Sequence, residues 1–342
     1  MSHSDYFNDI KKSLGLSLPW EKLDGKNILV TGASGLIGST LIEFLMMNPR
    51  INYHVYASGR NRERVIKLFK RFTSNPYFHF VRFDVLEPLQ SNIPFHVMIA
   101  CAGLASPQLY STDPVGVMKS NFSGVDNLFS YGVNHCLERF VYISSGEVYG
   151  EGDGREFSEE YSGYVDCTTL RACYPTVKRA TESLTIAYGN QYGVSVGIAR
   201  PCHIFGPHFN DYDKRVYAQF IRNVLKGEDI VLKSKGEQYR SWCYAVDCAS
   251  AILFILLSGQ SGEAYNIADG KANLSIYELA EIISKIGACG IRYETPDIEE
   301  KRGYNIVQKS VFNTSKIEEL GWKPMTSIYD ALLHTIDYLR NA

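Results

Sequence analysis

What the 342-residue chain has little of narrows the field first. It has no basic block: 35 Lys and Arg stand against 37 Asp and Glu, a net charge of −2, so neither nucleic acid nor an anionic membrane is an expected partner. The eight cysteines are scattered and none forms a C-x-x-C pair, which argues against a zinc site or a thioredoxin-like dithiol, and no metal is expected. The opening MSHSDYFNDIKKS lacks the apolar core of a signal peptide. The longest apolar run, residues 251–257, is too short to span a bilayer. There is no internal repeat and no low-complexity segment. What remains is 45% hydrophobic and 21% charged, the balance of a soluble protein with a sizeable core, and a reduced cytoplasmic enzyme is the expectation.

The chemistry concentrates in residues 144–178, which begin SSGEVYG and end LRACYPTVK. Lys178 follows Tyr174 by one helical turn, so on a helix both project from one face. An ammonium beside a phenol favours the phenolate and lowers its pKa, making Tyr174 a candidate general base for a sugar or alcohol hydroxyl. Ser145 would hold the same oxygen. Glu147 lies two residues beyond Ser145, so a strand-like backbone would put both on one side. With 23 tyrosines a Tyr-x-x-x-Lys pair also arises by chance on a helix surface, and what raises this one is its context. Glu147 has a plain alternative too, a carboxylate salt-bridged at a domain seam.

That context is a strand, KNILVT, running straight into GASGLIG and then a helix to Met47. Gly32 permits a tight turn, Gly35 lets the backbone approach a pyrophosphate, and Gly38 lets helix and strand pack closely. The helix N-terminus, with Ser34, Leu36 and Ile37 around it, then faces the phosphate charge. The next strand, residues 53–57, leads into SGRNRER, where an acidic residue would bind a ribose 2′-hydroxyl. Arg60, with Ser58 and Arg62 or Arg64, instead suits a 2′-phosphate, so the cofactor is NAD or NADP with NADP favoured. The alternative is a solvated basic loop. Asp84, ending FVRFDV beside Val85, would reach the adenine, and the small residues from Ala100 through Ala102 to Gly103 would admit the cofactor. Alternating strands and helices predict an α/β fold with a Rossmann-type, doubly wound parallel sheet and a smaller C-terminal substrate-binding lobe.

TGASGLIG, the Asn121 of MKSNFSGVDNL, SSGEVYG, YPTVK, ARPCHIFGP, YRSWCYAVD, GEAYNIADG and SKIEELGWKP occur in that order. Through them the chain resembles the extended short-chain dehydrogenase/reductases, the NAD-dependent epimerase/dehydratase type, over nearly everything from Lys26 to Tyr338. DVLEPL, LASP, RACY followed by KR, and DKRVYAQFI are most similar to segments of UDP-glucuronate decarboxylases. Three departures stand out: Ser145-Gly146-Glu147 replaces a Thr-Ser-Glu or Thr-Asp-Glu triplet, His203 replaces an asparagine, and an arginine stands where NAD-type enzymes carry an acid. The resemblance implies oxidation at sugar C4, with Tyr174 and Lys178 in the catalytic pair and Asn121 at the cofactor. It also implies a homodimer formed by the helices around Asn121 and Tyr174.

A C4 ketone makes C5 substituents labile: a carboxylate leaves as carbon dioxide, or a base removes the C5 proton and water is lost from a hydroxymethyl group. Glu147 is a candidate for that base, or for positioning water or the carboxylate. Dehydratases similar to those acting on dTDP-glucose have an aspartic acid at position 146, and a glycine protonates nothing. This leans towards decarboxylation or epimerisation, although GDP-mannose-type dehydratases lack that aspartate as well.

Residues 1–24 read as an extension of no assigned function, with Pro19 and Trp20 packing on the main domain. Residues 25–200 read as the dinucleotide domain and 201–342 as mainly the substrate lobe, with 240–268 returning to the first domain. In the second half Arg215 and Arg240 are the expected diphosphate partners, since a guanidinium forks onto phosphate oxygens. Each has an ordinary surface arginine as its alternative. Arg302 is a further candidate, His203 contacts the sugar or satisfies its turn, and Asp247 is expected to fix a helix start. The leading expectation is a UDP-hexuronate decarboxylase acting on a nucleotide-diphosphate sugar. The alternatives are a 4,6-dehydratase or epimerase, an NADPH-dependent 4-keto-sugar reductase, and a cofactor-binding redox regulator without turnover.

Overall fold

The computed structural model describes residues 4–209, 213–295 and 307–341; Arg302 lies outside them. Seven parallel strands form the central sheet, in the order β10-β6-β5-β4-β1-β2-β3. They are β1 (Asn27–Thr31), β2 (His54–Gly59), β3 (Phe78–Arg82), β4 (Val97–Ala100), β5 (Arg139–Ile143), β6 (Ser195–Pro201) and β10 (Glu263–Ile267). Their runs of Val, Ile, Leu and Phe are buried on both faces, as a helix-covered parallel sheet requires. The strand order reverses at β1 and β4, and the loops after those two strands therefore leave a crevice at the carboxyl edge.

Helices α2 (Leu36–Met47) and α8 (Ala245–Ser258) pack together on one face. Every residue of α8 from Ala245 to Leu257 is buried, so the apolar run around residues 251–257 is a core helix. No helix among the described residues is long and apolar enough to cross a membrane. The other face carries the paired helices α5 (Pro114–Gly132) and α6 (Cys173–Tyr192).

The N-terminal residues are more ordered than their sequence suggested. Helix α1 (Ser4–Leu14) buries Tyr6 and Ile10 against α2, α8 and the C-terminal helix Ile328–Arg340, and Trp20 is buried behind it. The Tyr6 hydroxyl donates to Glu43 of α2 at 2.5 Å, and His208 meets the same carboxylate oxygen at 2.9 Å.

Beyond β6 the chain builds a second sheet from β7 (His203–Phe205), β9 (Tyr239–Tyr244), β11 (Asn273–Ser275) and β13 (Lys309–Ser310), with β9 pairing the other three. Helix α9 (Ile276–Gly287) begins with a reciprocal capping box, Ser275 with Glu278. Asp247 does not cap α8, whose N-cap is Tyr244. It accepts the Met325 N–H at 2.9 Å and so ties the chain ahead of the C-terminal helix to α8.

Candidate active site

At the end of β1 the chain turns through Gly32, whose φ of 68° lies in the left-handed region where a glycine is least strained. A Cβ on Gly38 would stand 2.4 Å from the Gly32 carbonyl oxygen, so turn and helix touch only because position 38 has no side chain. Gly35 is the N-cap of α2, and the N–H groups of Leu36 and Ile37 belong to the first turn, where no intrahelical acceptor exists. Ser34 is half-buried beside them. N–H groups without an intrahelical acceptor, an absent side chain and the positive end of a buried helix together fit a dinucleotide pyrophosphate.

The rest of the crevice follows from the neighbouring strand ends. Thr31 Oγ1 accepts the Ala102 N–H at 3.1 Å, which fixes the turn after β4. Asn121 on α5 is buried; its Nδ2 donates to the carbonyls of Leu104 and Val117, while its Oδ1 has no protein partner. Asp84 lies two residues beyond the end of β3 rather than within the strand, half-buried, and accepts the Leu86 N–H. Val85 packs against Gly124, and its carbonyl accepts from Asn127. Arg60 is exposed directly after β2, as are Arg62 and Arg64, whereas Ser58 is fully buried. The arginines of this segment thus stand at the surface, and Ser58 does not join them.

Tyr174 opens α6 and is buried, its ring stacked on Tyr110 of α4 (Pro107–Thr112) at 4.8 Å between centroids. Lys178 follows one turn later, its Nζ donating to the Ile143 carbonyl at 2.8 Å and lying 5.6 Å from the Tyr174 ring centroid. The geometry of the pair is as expected, but its electrostatics are not. Burial pushes the Tyr174 phenol up to about 12, although Ser145 favours its anion, and burial pushes Lys178 down to about 7. Taking a charge out of water outweighs the mutual benefit expected from spacing alone.

Glu147 also differs from expectation. Ser145 caps a 3-10 turn, Gly146–Tyr149, and accepts the Glu147 N–H, so the backbone here is not strand-like. Arg171 grips Glu147 with two parallel hydrogen bonds of 2.8 and 2.9 Å, and its guanidinium lies 5.9 Å from the Tyr110 ring centroid. Arg171 and Tyr110 were missed in the sequence; the available signal was that Arg171 sits three residues before Tyr174, within reach of the same surface.

The second sheet faces this cluster. His203 packs on Trp242 at 5.3 Å, and burial with the nearby Arg240 lowers its pKa to about 4, so it is a neutral imidazole at neutral pH; its Nδ1 has no protein partner. Arg240 is buried and donates to the carbonyls of Tyr239, Val307 and Gln308. Burial lowers its pKa to about 10, while the charge of Glu147 acts in the opposite direction. Arg215 forks onto Asp213 and touches Tyr217, and its charge is felt at Tyr174, Tyr110 and His203. Ser145, Glu147, Tyr174, Lys178, His203, Arg215 and Arg240 thus share one neighbourhood, with Arg171 and Tyr110 added.

A model of the NAD dependent epimerase/dehydratase family matches residues 28–268. The chain belongs to that family. Among similar proteins of this family, UDP-glucuronic acid decarboxylase 6 of Arabidopsis thaliana is 32% identical, over 89% of this chain and 86% of its own. UDP-glucuronic acid decarboxylase 1 of Xenopus tropicalis is 30% identical, over 93% and 73%. In fold the chain is similar to UDP-glucuronic acid 4-epimerase from Bacillus cereus, solved with UDP-glucuronic acid and NAD (TM-score 0.78, 23% identity, 92% of this chain and 99% of that one). It is equally similar to a dTDP-glucose 4,6-dehydratase from Streptomyces venezuelae, solved with NAD (TM-score 0.79, 23% identity, 92% and 97%). The protein is therefore an enzyme of an NAD-dependent family.

Proposed function

We propose that this epimerase/dehydratase-family enzyme decarboxylates a nucleotide-diphosphate hexuronate, with UDP-glucuronate as the first substrate to test. The observation that carries the proposal is the Arg171–Glu147 pair set beside Ser145 and Tyr174 and flanked by Arg240, in a turn whose residue 146 has no side chain. Guanidinium groups outnumber carboxylates there, which suits a sugar that brings a carboxylate as well as a diphosphate. The curated relatives at about 30% identity carry the same reaction in their names.

In this reading Gly32, Gly35, Gly38 and the first turn of α2 hold the pyrophosphate, with Asn121, Asp84, Val85 and Ala102 shaping the crevice. The bound nicotinamide supplies oxidation at sugar C4 and its later reversal. Ser145 and Tyr174 hold the C4 oxygen, and Tyr174 takes its proton as the phenolate, the form that the Ser145 hydrogen bond favours against burial. Lys178, fixed by the Ile143 carbonyl, would hold the nicotinamide ribose and, in its protonated form, favour the Tyr174 phenolate. With C4 a ketone, the bond from C5 to the carboxylate breaks, its electrons pass to the C4 oxygen as an enolate, and carbon dioxide leaves. A proton then returns to C5 from a water ordered by Glu147. Arg240 and Arg215 bind the diphosphate, with Asp213 holding Arg215 in place, and the neutral His203 offers a hydrogen bond to the sugar. The second-sheet lobe forms the sugar-nucleotide wall.

A second reading, 4-epimerisation of a hexuronate, is favoured by one feature. Glu147 is already engaged by Arg171, and C4 chemistry alone needs only Ser145, Tyr174 and Lys178. Mass spectrometry of UDP-glucuronate incubated with enzyme and NAD or NADP separates the two: loss of carbon dioxide supports the first reading, whereas an unchanged mass with a new sugar isomer supports the second.

We also assign a homodimer through α5 and α6. Val115, Met118 and Phe122 form an exposed apolar stripe on α5, with Leu170 exposed just before α6. Light scattering at the monomer mass would remove this assignment. All eight cysteines are free, which suits a reducing, cytoplasmic location. For the cofactor, Arg60→Ala is expected to weaken NADP binding about tenfold and leave NAD binding unchanged if Arg60 recognises a 2′-phosphate. Equal effects on both would return Arg60 to a solvated loop.

A further inference from the structure

The missing side chain at 146 has a structural counterpart in the C-terminal part of the chain. A Cβ built on Gly146 would stand 2.0 Å from Cζ of Phe312, with Cε2 at 2.9 Å and Cε1 at 3.0 Å. The ring is hemmed in by its neighbours. Phe312 is 3% exposed and meets Tyr149 edge-on at 5.6 Å and Phe157 at 6.1 Å, with Val148 and Ala268 completing the cluster. Its backbone is pinned on both sides: its N–H donates to Ser241 Oγ at 3.0 Å, and its neighbours exchange hydrogen bonds with Phe157 at 2.7 and 2.9 Å. The same segment supplies the Val307 and Gln308 carbonyls that hold Arg240. One stretch, 307–313, therefore anchors a proposed diphosphate ligand and fills the side-chain space between Ser145 and Glu147.

We propose that Phe312 is a specificity-determining residue: its ring takes the space of a side chain at 146 and thereby keeps a proton donor out of the turn between Ser145 and Glu147. The chemical consequence follows from what each leaving group needs. Loss of water at the 4-keto stage removes the C5 proton and breaks the bond from C6 to its hydroxyl, and the departing hydroxide requires a proton from a nearby acid. Loss of carbon dioxide breaks the bond from C5 to the carboxylate and sends its electrons to the C4 oxygen, with no acid acting on the leaving group. A turn with no acid at position 146 permits the second and disfavours the first. For its product this inference rests on the 4-keto reading above; for its geometry it does not.

The test is a double-mutant cycle on the full chain with Gly146→Asp and Phe312→Ala, read first by thermal denaturation. Gly146→Asp is expected to lower Tm sharply in the wild-type background and far less in the Phe312→Ala background, where the space is open. An equal loss in both backgrounds overturns the pairing. If aspartate prevents folding, Gly146→Ala runs the same cycle with a single methyl. The second reading is mass spectrometry with UDP-glucose and NAD. The folded double variant is expected to lose water from the hexose at least about tenfold faster than wild type. Water loss by wild type at the same rate, or none from a double variant that still binds the nucleotide sugar, overturns the specificity role. Failure of wild type to release carbon dioxide from UDP-glucuronate counts against the decarboxylase reading alone, because the Tm cycle needs no substrate.

Discussion

In the glycine turn after β1, the contacts that shape the backbone lie within a few residues of one another: Gly32 turns, and Gly38 packs on the Gly32 carbonyl. Around Tyr174 the arrangement is the reverse. Glu147 meets Arg171 from the 3-10 turn that leads into α6, His203 and Arg240 arrive on adjacent strands of a second sheet, and Phe312 packs beside Gly146 from near the C-terminus. The first site is a local backbone conformation and the second is an assembly of distant side chains. A local site tolerates changes elsewhere in the fold, whereas an assembled one is sensitive to each packing contact and to the low dielectric that assembly creates.

The largest expected effect tests the assembled site. Tyr174→Phe should lower kcat by about 10²–10⁴-fold while leaving nucleotide-sugar binding intact, measured by turnover and by calorimetric titration. An unchanged kcat would remove Tyr174 from the chemistry. Next is the local site. Gly38→Ala forces a methyl onto the Gly32 carbonyl and should cost about 1–3 kcal/mol of stability together with dinucleotide binding. Retention of both would mean that the turn is looser than its contacts imply.

The Arg171–Glu147 pair sharpens the comparison further. Arg171→Ala should raise KM for UDP-glucuronate by about tenfold or more, the scale of a lost charge-assisted hydrogen bond, and affect UDP-glucose binding less. Glu147→Gln should lower turnover far more than it weakens binding. Equal losses for both sugars would mean that Arg171 only supports Glu147.

The smallest effect lies in the seam between the two halves. Burial raises the Asp247 pKa from 3.8 to about 7, so the folded state holds that proton more tightly than the unfolded chain. Its stabilising contribution is complete below about pH 4 and is lost as the pH rises through 7. Asp247→Asn keeps an acceptor for the Met325 N–H without the charge. Its Tm relative to wild type should therefore rise by a few degrees between pH 4 and pH 8. A difference that does not vary with pH would place the carboxylate in contact with water.

The strand-turn-glycine-helix unit was legible because period and spacing dictate it: KNILVT became β1, and the helical run to Met47 became α2. The Tyr174–Lys178 pair was legible as geometry for the same reason, since one helical turn relates the two positions. Their pKa values were not, because both move with burial, and burial depends on Tyr110 and on the strands behind them. Glu147 was placed in the right neighbourhood with the wrong backbone, since a serine cap converted an expected strand into a 3-10 turn. Asp247 was read as a cap when its partner, Met325, lies far along the chain.

By itself the sequence determined the family, the parallel sheet and the identity of the polar groups on offer, because these follow from short-range periodicity and from motifs a few residues long. Only the tertiary structure decided which of those groups meet. Arg171 became the partner of Glu147, and Phe312 the occupant of the space beside Gly146, through contacts between segments that no local spacing relates. The physical reason is that hydrogen bonding and steric exclusion act over a few ångströms in space, and only folding brings these segments within that range.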